Sequence, residues 1–230
     1  MCMKLLDNPG APNPARIRIV LAEKGIDGQM QFEKVSLIAA EHKQEGFLQK
    51  NPLGVLPVLE LDDGSYLSES TAITEYLDNL DGHPVLTGRT PKEKGVIHMM
   101  QRRAEAMVLD PIGIYFHHGT PGLGAQLQVY KSPDWPHRAE WAARERAKAE
   151  EGLSYFNGVL EATPFVAGEQ FSMPDITLFV GLLFADLAGI PIPERYTALA
   201  AWRAKVSDRP SVKHRSGQSL DADDLRSLGF

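Results

Sequence analysis

Residues 55–80 read Val55-Leu-Pro-Val-Leu-Glu-Leu61, then Asp62-Asp-Gly-Ser65, then Tyr66-Leu-Ser-Glu-Ser-Thr-Ala-Ile-Thr-Glu-Tyr-Leu-Asp-Asn-Leu80. Val55, Val58, Leu59 and Leu61 make a strand-like run, Asp63-Gly64 is a strong hairpin signal, and Tyr66 to Ser68 is short enough to be the returning strand. Ile73, Tyr76, Leu77 and Leu80 then recur at helical spacing, which places Glu69 and Ser70 where strand becomes helix. Pro57 conflicts with a central ladder position, because it has no N–H to donate and its ring holds Leu56 extended. A cis Leu56–Pro57 bond turns the Leu56 backbone outward, where it can pair with an extended peptide ligand; a trans bond makes Pro57 an edge-strand residue without further role. Both readings are open at this point. Ser70, with a hydroxyl and an N–H at a helix start, and Glu69, with its charge, suit the zwitterionic head of an amino acid. They equally suit a plain N-cap beside a solvated acid.

Outward from this stretch, the first third mixes strand and helix. Met3 to Leu6 is a short apolar strand, followed by a loop, Asp7-Asn-Pro-Gly-Ala-Pro-Asn13. A helix is expected next, with Asn13 as N-cap, Pro14 at its first position, Ile17, Val20 and Leu21 on one face and Gly25 as its stop. A second strand near Gln31 to Leu37 completes a βαβ-ββα order over residues 1–82, a small mixed sheet carrying helices. Gly82, Pro84, Gly88 and Pro91 interrupt any periodicity, so a linker is placed at 83–91.

The span 92–212 reads as all helical, with runs from Lys92 to about Phe116, Pro136 to Leu160 and Met173 to Gly189. Its Met and aromatic residues, among them Met99, Trp141 and Tyr155, read as core. Phe171-Ser-Met-Pro-Asp-Ile176 is the best helix start in the chain: Ser172 and Asp175 form the acidic variant of a capping box, and Phe171 and Ile176 have hydrophobic-staple spacing. Residues 213–230 form a polar tail. The fold class expected is therefore α+β with two domains.

Length and composition bound the function. A chain of 230 residues with 43% hydrophobic and 23% charged residues has material for a sizeable core. A net charge of −6 and no dense Lys/Arg patch argue against a nucleic-acid partner. The single cysteine, Cys2, excludes an internal disulfide framework and a Cys-x-x-Cys redox pair, and the N-terminus lacks signal-peptide character. The most apolar stretch, Ile176 to Ile190, is short for a membrane span and contains Asp186. A cytoplasmic protein without membrane or metal partners is the expectation.

Taken together, Pro14 to Gly25, Phe47 to Pro52, Val55-Leu-Pro-Val-Leu59, Glu69-Ser-Thr-Ala-Ile73 and the Phe171–Asp175 cap resemble the cytosolic glutathione transferases in order and spacing over most of residues 3–212. The resemblance implies a thioredoxin-like N-terminal domain joined to a helical one, a homodimer, and glutathione as co-substrate attacking a small hydrophobic electrophile. It implies that Pro57 is cis, that the Leu56 backbone pairs with the cysteinyl unit, and that Glu69 and Ser70 bind the γ-glutamyl end. His42 and Lys43 match the region that contacts the glycine carboxylate. Many members place a Tyr, Ser or Cys in the first loop, yet no Tyr, Ser, Thr or Cys lies between Asp7 and Arg18, and Ala11 stands where the serine is expected. Asp110 to Gly124 resembles an atypical yeast-type subgroup without that hydroxyl, in which a serine tends to stand in place of Gly113.

The remaining chemistry is modest. A thiol of pKa ~8.5 becomes mostly thiolate at neutral pH if its pKa falls by ~2 units, a stabilisation of about 2.7 kcal/mol. The start of the first helix, the Arg16 charge and an amide from Asn8 or Asn13 are candidate sources. His117 and His118 end a long helix expected to line the interdomain cleft, and adjacent helical residues point about 100° apart, so at most one of them faces the sulfur, directly or through water; His117 is the candidate, against a packing or helix-end role. Tyr115, Phe116 and Leu123 are expected to make the apolar pocket. Three readings compete: a transferase, a glutathione- or ligand-binding protein without turnover, and a structural adaptor. The electrophile, and whether peroxide reduction is a side activity, are not specified.

Overall fold

The computed structural model describes residues 3–120, 124, 127 and 138–214; Cys2, Leu123 and nearly all of the polar tail lie outside them. Four short strands form one sheet in the order β2-β1-β3-β4, with β1 (Lys4–Asp7), β2 (Gln31–Lys34), β3 (Val58–Glu60) and β4 (Tyr66–Ser68). β1 and β2 are parallel and linked by the crossover helix α1 (Pro12–Lys24), whereas β1/β3 and β3/β4 are antiparallel. Alternation along the strands divides the interior. Leu5 and Leu59 join the main core with Ile17 and Leu21 of α1 and with Ile73 and Leu77 of α3 (Ser70–Asn79). Leu6 and Val58 face the opposite side and pack with Val35, Leu56 and Phe47 of the short α2 (Glu45–Leu48). In this second layer a 3-10 turn over Glu41–Lys43 buries His42, whose pKa burial lowers to about 4, with Lys43 adding to the shift.

The rest is helical: α4 (Pro91–Ala104), α5 (Asp110–Gly119), α6 (Ala139–Ala162), α7 (Met173–Leu187), α8 (Thr197–Ser207) and α9 (Pro210–Lys213). α1 packs on α7, so the main core runs without a break from the sheet to Leu178, Phe179 and Leu182. The helix start at Ser172 behaves as its sequence suggests. Asp175 accepts hydrogen bonds from the Ser172 N–H (3.0 Å), the Val166 N–H (2.9 Å) and Trp202 Nε1 (3.0 Å), and burial pushes its carboxyl up to about 6 against those donors. Among the described residues no helix is long and apolar enough to cross a membrane.

Between α4 and α5 the helix widens into one π-turn, Glu105–Leu109. Its backbone is admitted by missing side chains on two facing helices: a Cβ at Gly152 of α6 would lie 2.3 Å from the Met107 carbonyl oxygen, and one at Gly181 of α7 would lie 3.0 Å from Val108. Glu105, the first residue of this turn, meets Arg16 of the sheet domain at 2.9 Å.

Several expectations are corrected. Asn13 is not the N-cap of α1; Ala11 holds that place without a side-chain bond, Pro12 begins the helix, and Asn13 lies inside its first turn. The first strand runs through Asp7, whose carboxylate holds buried Arg18 at 2.7 Å, and the second stops at Lys34. β3 begins only at Val58, because the Val55 carbonyl accepts from Asn51 Nδ2 (2.9 Å) and Pro57 offers no donor. α4 starts at Pro91, capped by Thr90 with Glu93 in a capping box. Met99 is 44% exposed and is not core.

Two stability experiments follow from this packing. Gly152→Ala should destabilise the protein by about 1–3 kcal/mol, as overpacking does, whereas Gly158→Ala on the same helix, which meets nothing within 4 Å, should stabilise it slightly. Denaturant midpoints check the pair, and equal effects would refute the close approach. For His42, the folded pKa lies below the ordinary 6.5, so between pH 6.5 and 4 the unfolded chain takes up a proton that the folded chain refuses. Stability should fall as pH drops through that window, and His42→Gln should lose less melting temperature between pH 7 and 4.5 than the wild type.

Candidate functional site

Two adjoining cavities lie between the sheet domain and the π-turn region of the helical domain. The smaller, about 400 Å³, is bounded by Asn13, Arg16, Leu56, Pro57, Glu69, Ser70 and Thr71 on one side and by Arg102, Glu105 and Asp110 on the other. The larger, about 610 Å³, runs from Ala11, Asn13 and Leu56 to His42, Lys43 and Gly54 at one end and to Gly113, His117, Trp141 and Phe184 at the other. Asn13, Leu53, Val55, Leu56 and Asp110 line both. Together they form one long groove, wide enough for an extended tripeptide with room beside its middle.

The walls follow from local chemistry. Leu56–Pro57 is cis, and the sheet makes no use of the Leu56 N–H and C=O, which leaves an extended-strand edge facing the groove. At the end of β4, Glu69 sits at φ 69° and ψ 117°, a conformation that L-residues rarely adopt and that its surroundings impose. The first bond of α3 is donated by Ile73 to the Glu69 carbonyl (3.0 Å), so the N–H groups of Ser70 and Thr71 stand at a helix start, beside the Ser70 hydroxyl. A carboxylate fits there.

The same cavity holds acids and bases that the sequence did not single out. Glu105 Oε1 accepts from Arg16 Nη2 (2.9 Å), the Thr71 hydroxyl (2.9 Å) and Gln101 Nε2 (2.9 Å). Arg102 and Asp110 approach to 3.5 Å at its rim. Arg16 is only 4% exposed, and burial lowers its pKa while Glu105 opposes that shift; a guanidinium nevertheless stays charged. The charge assigned to Arg16 as a direct stabiliser of a thiolate is thus already compensated by Glu105. No local signal in the sequence links positions so far apart.

At the other end, His42 and Lys43 both line the larger cavity, but differently from two cations. His42 is neutral at pH 7 by the lowered pKa described above, and Lys43 Nζ donates to the carbonyls of Gly54 (2.6 Å) and Leu53 (3.3 Å). Gly54 is required by that contact. It sits at φ 57°, and a Cβ on it would lie 2.7 Å from the His42 carbonyl.

His117 reaches the larger cavity, and its Nδ1 bonds the Gly124 carbonyl at 2.9 Å. A carbonyl only accepts, so Nδ1 carries the hydrogen and Nε2 is the basic nitrogen of the neutral ring. His118 lines the same cavity, its ring tilted by 34° against Trp141 with centroids 5.0 Å apart, and is 8% exposed. His98 is paired with Glu75 on the surface at 3.2 Å. Among the described residues, no three His, Cys, Asp or Glu side chains converge on a metal position. The apolar wall differs from expectation. Phe116 points into the core, Tyr115 bonds Arg146 (2.9 Å), and Leu123 lies outside the described residues. Leu109, Ile114, Trp141 and Phe184 line the cavity instead, so Trp141 is a pocket residue and not core.

This arrangement agrees with what the chain is similar to. Residues 1–79 match the glutathione S-transferase N-terminal domain model and residues 139–205 the glutathione S-transferase C-terminal domain model. Glutathione S-transferase 2 of Saccharomyces cerevisiae is 52% identical over 211 residues, covering 92% of this chain and 88% of the relative. The crystal structure of Gtt2 from Saccharomyces cerevisiae superposes with a TM-score of 0.85 at 51% identity, covering 91% of this chain and 98% of that one. A glutathione S-transferase domain-containing protein of Marinobacter aquaeolei VT8 superposes with a TM-score of 0.84 at 44% identity, covering 91% and 99%. On the combined weight of its groove, its sheet and these relatives, the chain belongs to the glutathione S-transferase family.

Proposed function

We propose that the protein is a glutathione transferase that holds glutathione along Leu56 and activates its thiol for attack on a small apolar electrophile. The observation that carries this reading is the cis Leu56–Pro57 edge facing the start of α1, with Glu69 and Ser70 at the end of the same groove. In this reading the γ-glutamyl carboxylate lies on the Ser70 hydroxyl and the α3 N–H groups, and its ammonium on Glu69. The cysteinyl unit pairs with the Leu56 N–H and C=O. The glycine end reaches His42, acting as a neutral hydrogen-bonding group, and Lys43, acting as the cation.

The sulfur then falls beside Asn13 and Ala11, where the groove opens into the cavity walled by Ile114, Trp141 and Phe184. With no hydroxyl in the first loop, the thiolate is stabilised by the start of α1 and by Asn13, and His117 Nε2 takes up the thiol proton, directly or through a water molecule. The thiolate forms a bond to the electrophilic atom, the leaving group departs with the electron pair of the broken bond, and the proton passes to solvent. A homodimer in the cytoplasm is the assembly and setting proposed for it.

Ultraviolet titration of bound glutathione tests the reading. The bound thiol should titrate about 2 units below the free one, and His117→Ala should move it back by about one unit, consistent with loss of one hydrogen-bonded partner. A bound thiol that titrates as it does in water would remove the enzymatic reading, and an unmoved titration in the variant would clear His117. At the far end, Ser70→Ala should weaken glutathione binding about tenfold, the worth of a charge-assisted hydrogen bond, with little change in kcat; calorimetry and saturation kinetics measure both.

A further inference from the structure

The groove's first helix starts with an unusual shortage of donors. Pro12 and Pro14 have no N–H, the Ala11 N–H is bonded to the Asn8 carbonyl (3.1 Å), and the Ala15 N–H to the Ala11 carbonyl (3.0 Å). Asn13 is therefore the residue of the first turn whose backbone N–H is left without an acceptor among the described residues. Its side chain is exposed at the junction of the two cavities.

The orientation of that side chain is decided by chemistry. Arg16 Nη1 lies 2.9 Å from Asn13 Oδ1, and a guanidinium only donates, so the oxygen of the amide must face Arg16 and its NH₂ must face away. Arg16 cannot swing, because Nη2 is held by Glu105 Oε1 at 2.9 Å and by Thr71 Oγ1 at 3.3 Å. Glu105 is itself fixed by Gln101, whose own oxygen accepts from Thr177 at 3.0 Å, and by the π-turn clasped over Gly152.

We infer that Asn13 is the groove's thiolate donor, through its backbone N–H and Nδ2, and that Arg16 and Glu105 are positioning residues that hold the amide with its NH₂ toward the sulfur. The inference rests on the transferase reading above and assigns the roles within it. Arg16 acts through Asn13 and not through its charge, which Glu105 cancels at close range. The helical domain thereby reaches the reacting atom through a three-residue relay anchored in its π-turn.

Three proteins, each titrated with glutathione bound, test this. In Asn13→Ala the bound-thiol pKa should rise by about one unit, the loss of one hydrogen bond to a charged group, and kcat/KM below that pKa should fall about tenfold while the KM for glutathione changes less than about twofold. Asn13 is exposed, so this variant is expected to fold; an unchanged titration overturns the inference. Glu105→Gln gives an opposite-sign test. If the Arg16 cation stabilised the thiolate directly, removing its counter-charge would lower the bound-thiol pKa, and that result overturns the positioning role. A pKa that rises supports the positioning role, and one that stays where it is in the wild type overturns it. The wild type separates the two levels: a bound thiol titrating as free glutathione there would sink the transferase reading itself, independently of Asn13.

Discussion

A charged guanidinium buried between two domains has to be met by a carboxylate, and much of this molecule is arranged around that requirement. Arg16 lies on α1, packed against both the sheet and α7, and its partner Glu105 comes from the helical domain at 2.9 Å. Removing either partner of such a pair would leave an uncompensated buried charge, a loss of about 3–5 kcal/mol, although the intact pair need add little net stability over an apolar contact. Its value is therefore directional. Three further donors and acceptors, on Asn13, Thr71 and Gln101, are oriented by it.

The second constraint is a missing hydrogen. Pro57 cannot extend the ladder of β3 toward Val55, and the Val55 carbonyl is taken by Asn51, so the strand's natural continuation is released into the groove. Leu56 keeps its side chain in the smaller core with Val35 and Phe47 while its peptide groups face the cavity. Burial of an apolar side chain thus anchors the backbone that is left for a ligand. Glu69, held at positive φ by the end of the hairpin and the start of α3, is presented from the opposite side in the same manner.

What the sequence disclosed and what it hid divide along the range of the interactions. The Asp63-Gly64 hairpin, the Gly25 stop of α1 and the Ser172–Asp175 box are local, formed by residues within a few positions of one another, and all three are present. The Thr90–Glu93 box is equally local, spelled Thr-Pro-Lys-Glu, but it follows glycines and prolines that break the helical period and mask the helix start. The groove around Pro57, Glu69 and Ser70 was legible because each residue breaks a local rule: a proline in a strand, an acid and a serine at a strand-to-helix junction. The π-turn was not. Its widening depends on space at Gly152 and Gly181, dozens of residues away, and no periodicity in 105–109 announces it. The Asn13 cap failed for a related reason: Asn13 is a good N-cap by type, but Pro12 is already helical and the amide is drawn to Arg16.

The position of Ala11 gains meaning in this frame. A first-loop hydroxyl would serve the sulfur from the sheet domain alone, with no contribution from the helices. Without one, the proposed activation falls to Asn13, oriented across the domain boundary through Arg16 and Glu105, and to His117, oriented within the helical domain by the Gly124 carbonyl. Both routes require the two domains to be docked in register, because an ångström of displacement at the π-turn would release Arg16 and with it the amide. The continuous core from Leu5 through Ile17 to Leu178 supplies that register by burying apolar surface on both sides of the boundary. The packing that folds the protein and the polarity that would activate a thiol are in this sense one structure, joined at Glu105.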